Sequence, residues 1–331
     1  MKLSVVTTLY RSKATIDEFY RRAVAAAEPI TQDIEIVMVN DGSPDDSLSR
    51  AVALHKADPR VVVVDLSRNF GHHKALMTGL AHATGDLVFL IDSDLEEAPE
   101  LLTRFYARYM EGDCDVVFGV QTARRGGLFE RTTGALFFSL VNILSDHSIP
   151  RNVVIARLMT RDYVRALIRH RDREFLIAHL LQVTGFRQVQ LPLKKLSESP
   201  TTYSVRMRIE MAVKFLTTTS TKLLYGVLYL GLCIFVLSTL AIGYYVCRYL
   251  LSGIGVDGYT SIIVSIWFFG GLTTLILGIL GIYIANVVSE VKRRPYTVVR
   301  SVHRAHDAAV SLSNVVHVPS REARHESGPR T

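Results

Sequence analysis

Short apolar segments alternate with amphipathic segments along the first 120 residues. Four apolar or β-branched runs end in polar or turn residues and predict β-strands over 3–8, 34–39, 60–66 and 86–91. The intervening segments have helical periodicity near 15–27, 45–56 and 73–83. This alternation predicts right-handed βαβ units and a mostly parallel α/β sheet, to which residues 115–120 can add a fifth strand.

Two long apolar stretches follow later in the chain. Residues 223–251 contain one charge, Arg248, and residues 259–289 contain none. Each stretch exceeds the roughly 20 residues that a helix needs to cross a bilayer core. The alternative is a pair of buried core helices, but core helices seldom stay uncharged over this length. The sequence therefore predicts a hairpin of two transmembrane helices.

Basic residues flank this hairpin on both sides. Lys214 and Lys222 precede the first stretch, and Lys292, Arg293 and Arg294 follow the second. By the positive-inside rule both flanks lie in the cytoplasm. The sequence thus predicts a multi-pass protein of the cytoplasmic (inner) membrane, with its N-terminal domain and both termini in the cytoplasm.

Four regions follow from these boundaries. They are a soluble domain over 1–200, a juxtamembrane interfacial helix over 201–222, the membrane hairpin over 223–289, and a basic tail over 290–331 that is flexible after residue 301. The pattern over 204–216 fits a helix lying in the membrane interface and equally a helix packed on the soluble domain.

The net charge and the cysteines narrow the choice of partners. A formal charge of +7 is compatible with nucleic acid, but the basic residues concentrate beside the apolar stretches. Anionic lipid headgroups attract such clusters, so the lipid bilayer and not nucleic acid is the predicted partner. Cys114, Cys233 and Cys247 have no metal-binding spacing, and they predict neither a disulfide nor a zinc site.

Polar residues follow the predicted strands, where ligands of open α/β sheets bind. They are Asn-Asp-Gly-Ser at 40–43, Ser-Arg-Asn-Phe-Gly at 67–71 and Asp-Ser-Asp at 92–94. The segment after the first strand, residues 7–12, contains no glycine, so it forms neither a dinucleotide fingerprint nor a P-loop. A nucleotide bound here would need another group to neutralise its phosphates.

Asp92 and Asp94 are the candidates for that task. Two carboxylates at the end of a buried strand destabilise each other unless a cation lies between them, and oxygen ligands suit Mg²⁺ or Mn²⁺. The alternative is an acidic loop that caps the next helix, to which Glu96 and Glu97 would contribute. Asp41 has a similar alternative, because an Asp-Gly-Ser turn often does no more than cap a helix.

The ordered motifs resemble those of family 2 glycosyltransferases of the GT-A fold, specifically the enzymes that charge a polyprenyl phosphate with a sugar. The resemblance covers residues 3–296. It is carried by Val-Asn-Asp-Gly-Ser at 39–43, Leu-Ser-Arg-Asn-Phe-Gly at 66–71, Ala-Thr-Gly-Asp at 83–86, Ile-Asp-Ser-Asp-Leu-Glu at 91–96, Arg-Leu-Met at 157–159, Thr-Gly-Phe-Arg at 184–187 and Arg-Pro-Tyr at 294–296.

The resemblance implies a role for several residues. Asp41 would contact the base of a UDP- or GDP-sugar, Asp92 the ribose or the metal, and Asp94 the metal that bridges the diphosphate. Arg157 would lie near the phosphates or the acceptor. The other residues expected at the site are Tyr10, Arg68 and Lys74 for donor binding. Glu96, which stands where the family has glutamine, adds a candidate metal ligand.

The chain also departs from the family. Many relatives carry an aspartate two residues before the arginine of the Arg-Leu-Met motif, where this chain has Ile155. That loss agrees with a phosphate acceptor, because a phosphate monoester is already largely deprotonated at neutral pH and needs no general base. Arg157, Lys194 or Lys195 would then hold two anionic substrates together.

The resemblance therefore implies inverting, metal-dependent transfer of a hexose to undecaprenyl or dolichyl phosphate for cell-envelope glycans. Self-association through the membrane part is compatible with it. The alternatives are a membrane glycosyltransferase with another acceptor, such as a polysaccharide synthase, and a non-catalytic scaffold that retains the fold. A polysaccharide synthase would typically carry a Gln-x-x-Arg-Trp motif, whereas Trp267 lies inside a predicted span.

Overall fold

The computed structural model of the chain describes residues 1–121, 153–170, 172, 177–193, 222–252, 258–292, 294–305 and 315–317. The strands are β1 Leu3–Leu9, β2 Ile34–Asn40, β3 Val61–Leu66, β4 Leu87–Leu90, β5 Val116–Gln121, β6 Val153–Thr160, β7 Gln188–Leu193, β8 Thr297–His303 and β9 Val315–His317. The helices are α1 Ile16–Ala27, α2 Ser47–Ala57, α3 His72–His82, α4 Leu101–Tyr109, α5 Arg161–Leu167, α6 Ile177–Val183, α7 Lys222–Ser252 and α8 Tyr259–Val291.

All strands belong to one mixed sheet in the order β7-β5-β6-β4-β1-β2-β3-β8-β9. Its centre, β4-β1-β2-β3, is parallel, and this confirms the predicted succession of βαβ units. β6 runs antiparallel between β4 and β5, and β8 runs antiparallel beside β3. Because β1 to β4 point the same way, the loops that follow them share one edge of the sheet.

The sheet is buried on both faces, as continuous apolar strands require. Side chains of β1 alternate between two cores: Leu3 and Val5 face one, and Val6 faces the other. The first core includes Phe19 of α1 and Phe105 of α4, which are fully buried. Helices on both sides therefore hold β1 rigidly at the centre of the sheet.

The spacing of apolar residues explains the amphipathic helix α1. Ile16, Phe19, Ala23 and Ala27 recur every three or four residues, and all four are buried against the first core. Acidic residues occupy the first turn, where the positive end of the helix dipole favours them. The helix predicted near 15–27 is thus confirmed.

The C-terminal strand β8 was not predicted from the sequence. Residues 301–303 were predicted to begin a flexible tail, but they pair with β3, and Val64 lies opposite Val302. Tyr296 and Val299 are buried in the second core. The soluble unit therefore contains residues before 200 and residues after 293, and is not confined to residues 1–200.

The two long helices α7 and α8 belong to a second compact unit. They coincide with the predicted stretches 223–251 and 259–289. Among the described residues, Phe268–Val288 is the one segment whose length and apolar composition suffice for crossing a bilayer. Large apolar side chains on both helices are exposed, among them Leu240, Leu251, Ile266 and Leu277.

Several predicted features lie outside the described residues. They are Lys194 and Lys195, residues 201–221 of the interfacial helix predicted over 201–222, the loop over 253–257, and residues 306–314 and 318–331 of the tail.

Candidate functional site

The loop after β3, residues 67–71, is held by the side chain of Asp41. Asp41 Oδ1 accepts a hydrogen bond from the backbone N–H of Phe70 at 2.7 Å, and Oδ2 accepts one from Gly71 at 3.1 Å. Burial raises the pKa of Asp41, and the two hydrogen bonds oppose this rise because they favour the carboxylate. Asp41 therefore fixes the end of the loop that was predicted to bind the nucleotide.

The same loop lies directly against Gly42. This glycine has a φ of 58°, and a Cβ atom there would lie 2.4 Å from both the carbonyl carbon of Arg68 and the nitrogen of Asn69. Only glycine allows both the backbone conformation and the approach. The guanidinium of Arg68 lies 4.1 Å from the centroid of the Phe70 ring, and its Nη1 donates to the Asn69 carbonyl at 2.9 Å.

Hydrogen bonds connect the turn after β1 to the two neighbouring loops. The backbone N–H of Arg11, a residue with a φ of 57°, donates to Ser43 Oγ at 2.7 Å. The Oγ atoms of Ser12 and Ser93 lie 3.1 Å apart. These contacts leave the adjacent Tyr10 side chain exposed. The turn that lacks the glycines of a dinucleotide site is thus positioned by serines.

Asp92 and Asp94 follow β4 at the same edge. The backbone N–H of Glu96 donates to Asp94 Oδ1 at 2.9 Å, and Leu95 has a left-handed φ of 63°. Non-glycine residues in this conformation cost about 1–3 kcal/mol each and cluster at functional sites. Among the residues that the structure describes, no three His, Cys, Asp or Glu side chains already form a metal-binding group. Glu96, half-buried two residues after Asp94, stays a predicted additional ligand.

His72, at the start of α3, lies among these carboxylates. Its Nδ1 lies 3.1 Å from Thr8 Oγ1, and its Nε2 lies 3.4 Å from Asp92 Oδ1. Burial lowers the pKa of His72, while the negative charges of Asp41 and Asp94 oppose that change. These contacts of His72 were not predictable from the sequence, because histidine spacing along the chain does not report contacts between distant loops.

Arg157 is buried on β6 and donates hydrogen bonds to its own strand. Its Nε donates to the carbonyl oxygen of Ile155 at 3.0 Å, and its Nη2 donates to that of Val154 at 3.1 Å. Burial lowers the pKa of Arg157, and the charge of Glu97 opposes this. Glu97 Oε2 in turn accepts from the Ala156 N–H at 2.9 Å. The described contacts thus give Arg157 and Glu97 a role in shaping β6.

Lys74 completes the set of predicted residues. It lies half-buried in the first turn of α3, where its backbone N–H donates to the Gly71 carbonyl at 3.0 Å. Tyr10, Arg68 and Lys74 therefore lie on three segments at one edge: the turn after β1, the loop after β3 and the first turn of α3. The structure brings these elements together with Asp41, Asp92 and Asp94.

Asp92 and Asp94 fit a hard divalent cation by their chemistry. Mg²⁺ and Mn²⁺ take oxygen ligands, and Mg²⁺ is usually held by one or two carboxylates, water and the phosphates of a substrate. Two aspartates at an exposed sheet edge therefore suffice without a cage of three.

The chain is similar to known glycosyltransferases over most of its length. The family model described as "Glycosyl transferase family 2" matches residues 4–171, just over half of the chain. A Mycobacterium tuberculosis protein with a provisional glycosyltransferase name is 48% identical over 92% of this chain and 89% of its own length. The bactoprenol glucosyl transferase of Shigella phage SfII is 32% identical over 92% of this chain and 99% of its own length.

One solved structure has a weak overall similarity to this chain. The glucosyl-3-phosphoglycerate synthase of Mycobacterium tuberculosis, crystallised with Mn²⁺, uridine diphosphate and phosphoglyceric acid, is 21% identical, with a TM-score of 0.46 over 65% of this chain and 78% of that chain. The family model and the relatives assign the chain to the transferases by sequence. The protein belongs to glycosyl transferase family 2.

Proposed function

We propose that this protein transfers a sugar, with inversion, from a nucleotide-sugar to a polyprenyl phosphate at the cytoplasmic face of a membrane. The observation that carries the proposal is the convergence of Asp41, Asp92 and Asp94 around His72 at one edge of the sheet. Relatives named as bactoprenol glucosyl transferases, about one third identical over nearly the whole chain, support the lipid acceptor.

The residues at this edge of the sheet have different roles in binding the donor. Asp41 keeps the loop 67–71 in the position where its backbone meets the nucleotide. Asp92 and Asp94 would hold Mg²⁺ or Mn²⁺, which when bound neutralises the diphosphate as it departs. Arg68 and Lys74 supply positive charge beside the same loop. Tyr10 is exposed at this edge and available to stack on a base.

The acceptor explains why a nonpolar residue stands at position 155. A sugar hydroxyl must lose a proton as it attacks, whereas a phosphate monoester with a second pKa near 6 is largely dianionic at neutral pH. One phosphate oxygen attacks the anomeric carbon, the bond from that carbon to the nucleoside diphosphate breaks, and no proton transfer is needed. Ile155, which has no titratable group, is therefore compatible with transfer to a phosphate.

The pairing of β8 with β3 supports the membrane hairpin. β8 follows α7 and α8 in the chain but belongs to the same sheet as β3, which precedes them. An odd number of bilayer crossings between β3 and β8 would place the two strands on opposite sides of the membrane. Since α8 contains a segment that suffices for one crossing, α7 is proposed to make the other. The basic residues Lys222, Lys292 and Arg294 favour the cytoplasm for the soluble unit.

Release of nucleoside diphosphate tests the proposed reaction. The full chain, purified in detergent, is mixed with a panel of UDP- and GDP-sugars, with and without polyprenyl phosphate, in Mg²⁺, Mn²⁺ or chelator. The proposal expects release that needs both the lipid phosphate and the metal, with one preferred donor. Release without lipid phosphate, or equal release when a glycan or a free sugar replaces it, would indicate another acceptor. A folded protein with no turnover would favour the scaffold.

A further inference from the structure

The strand β8 meets the donor-binding loop at its first residue. The backbone N–H of Ser67 donates to the carbonyl oxygen of Val298 at 2.9 Å, so the β3–β8 pairing extends into the loop. Arg300 Nη2 donates to the Ser67 carbonyl oxygen at 2.6 Å. Both hydrogen-bonding groups of the Ser67 backbone are thus occupied by a segment that begins six residues after α8 ends.

Arg300 reaches Ser67 because the pairing is irregular at this point. Asp65 lies opposite Ser301 and Leu66 lies opposite Val299, which leaves Arg300 as an extra residue between two pairs. An extra residue of this kind forms a β-bulge, and bulges redirect a side chain beside active sites. Regular pairing would place Arg300 in the ladder and not over the start of the loop.

A buried carboxylate connects Arg300 to Asp41. Arg300 Nη1 lies 3.5 Å from Asp65 Oδ2, and the Asp65 side chain is only 4% exposed. Asp65 Oδ1 accepts a hydrogen bond from Asn40 Nδ2 at 2.8 Å, and Asn40 immediately precedes Asp41. Arg300 therefore contacts the start of the loop 67–71, and Asp41 contacts its end. Asp65 connects the two, because it pairs with Arg300 and accepts from Asn40, the residue before Asp41.

We propose that Arg300 is a positioning residue for the nucleotide-sugar: it sets the start of the loop 67–71 so that the loop is shaped before the donor binds. This inference rests on the proposed function of that loop. The guanidinium is more than half exposed, so the ion pair alone would contribute little. Without Arg300, the donor would have to order the loop as it binds, and this ordering would reduce the binding free energy. Arg300 orders the loop beforehand and so strengthens donor binding.

Arg304 offers a matched control on the same segment. Its Nη2 donates to the His82 carbonyl oxygen and lies 3.4 Å from Glu35 Oε1. Glu35 accepts from Ser4 and Thr84, at the edge of the sheet opposite to the site. Like Arg300, Arg304 therefore contacts one backbone carbonyl and one carboxylate of the sheet. Its contacts lie far from the loop 67–71.

The test compares Arg300→Ala, Arg300→Lys and Arg304→Gln in the full-length chain. The donor KM, the kcat and the thermal midpoint are measured in detergent at saturating polyprenyl phosphate. Arg300→Ala is expected to raise the donor KM about five- to tenfold with kcat changed less than about twofold, because a hydrogen bond from a charged group to the loop is lost. Arg300→Lys should restore most of the wild-type KM, since lysine keeps the charge and a donor.

Arg304→Gln is expected to lower the thermal midpoint and leave the donor KM within about twofold of wild type. The inference is overturned if both variants raise the KM alike, if neither does, or if Arg300→Ala lowers kcat and leaves KM unchanged. An inactive wild-type protein would instead overturn the proposed function, and so the two failures are distinct.

Arg300→Gln serves as a second variant if Arg300→Ala does not fold. Glutamine keeps a donor without the charge, so this variant is expected to raise the donor KM, by less than about tenfold. An unchanged donor KM in Arg300→Gln would contradict the inference.

Discussion

The carboxylate of Asp41 holds the backbone of Gly71, thirty residues away, through a hydrogen bond of 3.1 Å. A second bond, to Phe70 at 2.7 Å, uses the other oxygen of the same carboxylate. Asparagine has the same shape but only one acceptor oxygen, and its NH₂ group would face a backbone N–H.

Asp41→Asn is therefore expected to destabilise the protein by about 1–3 kcal/mol and to raise the donor KM, because one N–H of the loop loses its acceptor. Thermal unfolding in detergent and steady-state kinetics measure the two effects. Ser49→Ala, an exposed change on α2, serves as the control and should alter neither quantity. An Asp41→Asn protein with wild-type stability and KM would show that the loop does not depend on this carboxylate.

Asp41 also predicts a pH dependence. Since burial raises its pKa, the folded protein binds this proton more tightly than the unfolded chain does. The resulting stabilisation is fully present below the ordinary aspartate pKa, about 4, and is lost as the pH rises through the higher folded value. The difference between the thermal midpoints, wild type minus Asp41→Asn, should therefore decrease as the pH rises through this window. A difference that rises with pH would contradict the sign.

Asp94→Asn tests the role of the aspartate pair. Loss of one carboxylate is expected to lower kcat/KM by at least about 100-fold, since the charge on the departing diphosphate is then poorly neutralised. The thermal midpoint without metal should stay the same or increase, because the variant no longer carries two like charges two residues apart. Chelation should inactivate the wild type, and Mg²⁺ or Mn²⁺ should restore it. Full activity of the variant, or full activity in chelator, would exclude a metal held by this pair.

Ile155→Asp tests whether a general base is needed. Positioned bases accelerate proton transfer by about 10²–10⁴-fold, but a dianionic phosphate has no proton to lose. The variant is therefore expected to change kcat/KM for polyprenyl phosphate by less than about threefold at neutral pH. Ile155→Asn controls for the loss of apolar packing against the second core. A gain near 100-fold in the aspartate variant alone would show that the wild type lacks a base it needs.

Cysteine labelling tests the membrane hairpin. In a chain whose native Cys114, Cys233 and Cys247 are replaced by serine, one new cysteine is placed at Gly255 or at Ala305. A membrane-impermeant maleimide added to intact cells should label Gly255→Cys, while Ala305→Cys should react only after lysis. Equal labelling of both positions in intact cells, or of neither before lysis, would contradict two crossings with a cytoplasmic soluble unit.

The sequence was informative wherever local periodicity decides the structure. The strands β1 to β4 and the helices α1 to α3 were predicted to within about two residues at each end. Ordered polar residues after these strands located Asp41, Asp92 and Asp94, because parallel strands bring their ends to one edge.

Contacts between distant segments were not predictable in this way. β8 contains Arg300 and Ser301, and its partner β3 lies more than 230 residues earlier in the chain. His72 meets Thr8 and Asp92 only because α3 begins beside the ends of β1 and β4. Neither pairing leaves a periodic signal, since both depend on the three-dimensional arrangement of the sheet.

Transfer of a sugar from a nucleotide to a lipid phosphate must yield nucleoside diphosphate and sugar-charged lipid in equal amounts. Using the preferred nucleotide-sugar with a radiolabelled sugar, released nucleoside diphosphate is measured in the aqueous phase and label in the organic phase. We expect one labelled lipid for each nucleoside diphosphate released, which is the stoichiometry of transfer to lipid, and neither product with Asp94→Asn. Nucleoside diphosphate released while the label stays in the aqueous phase would contradict it.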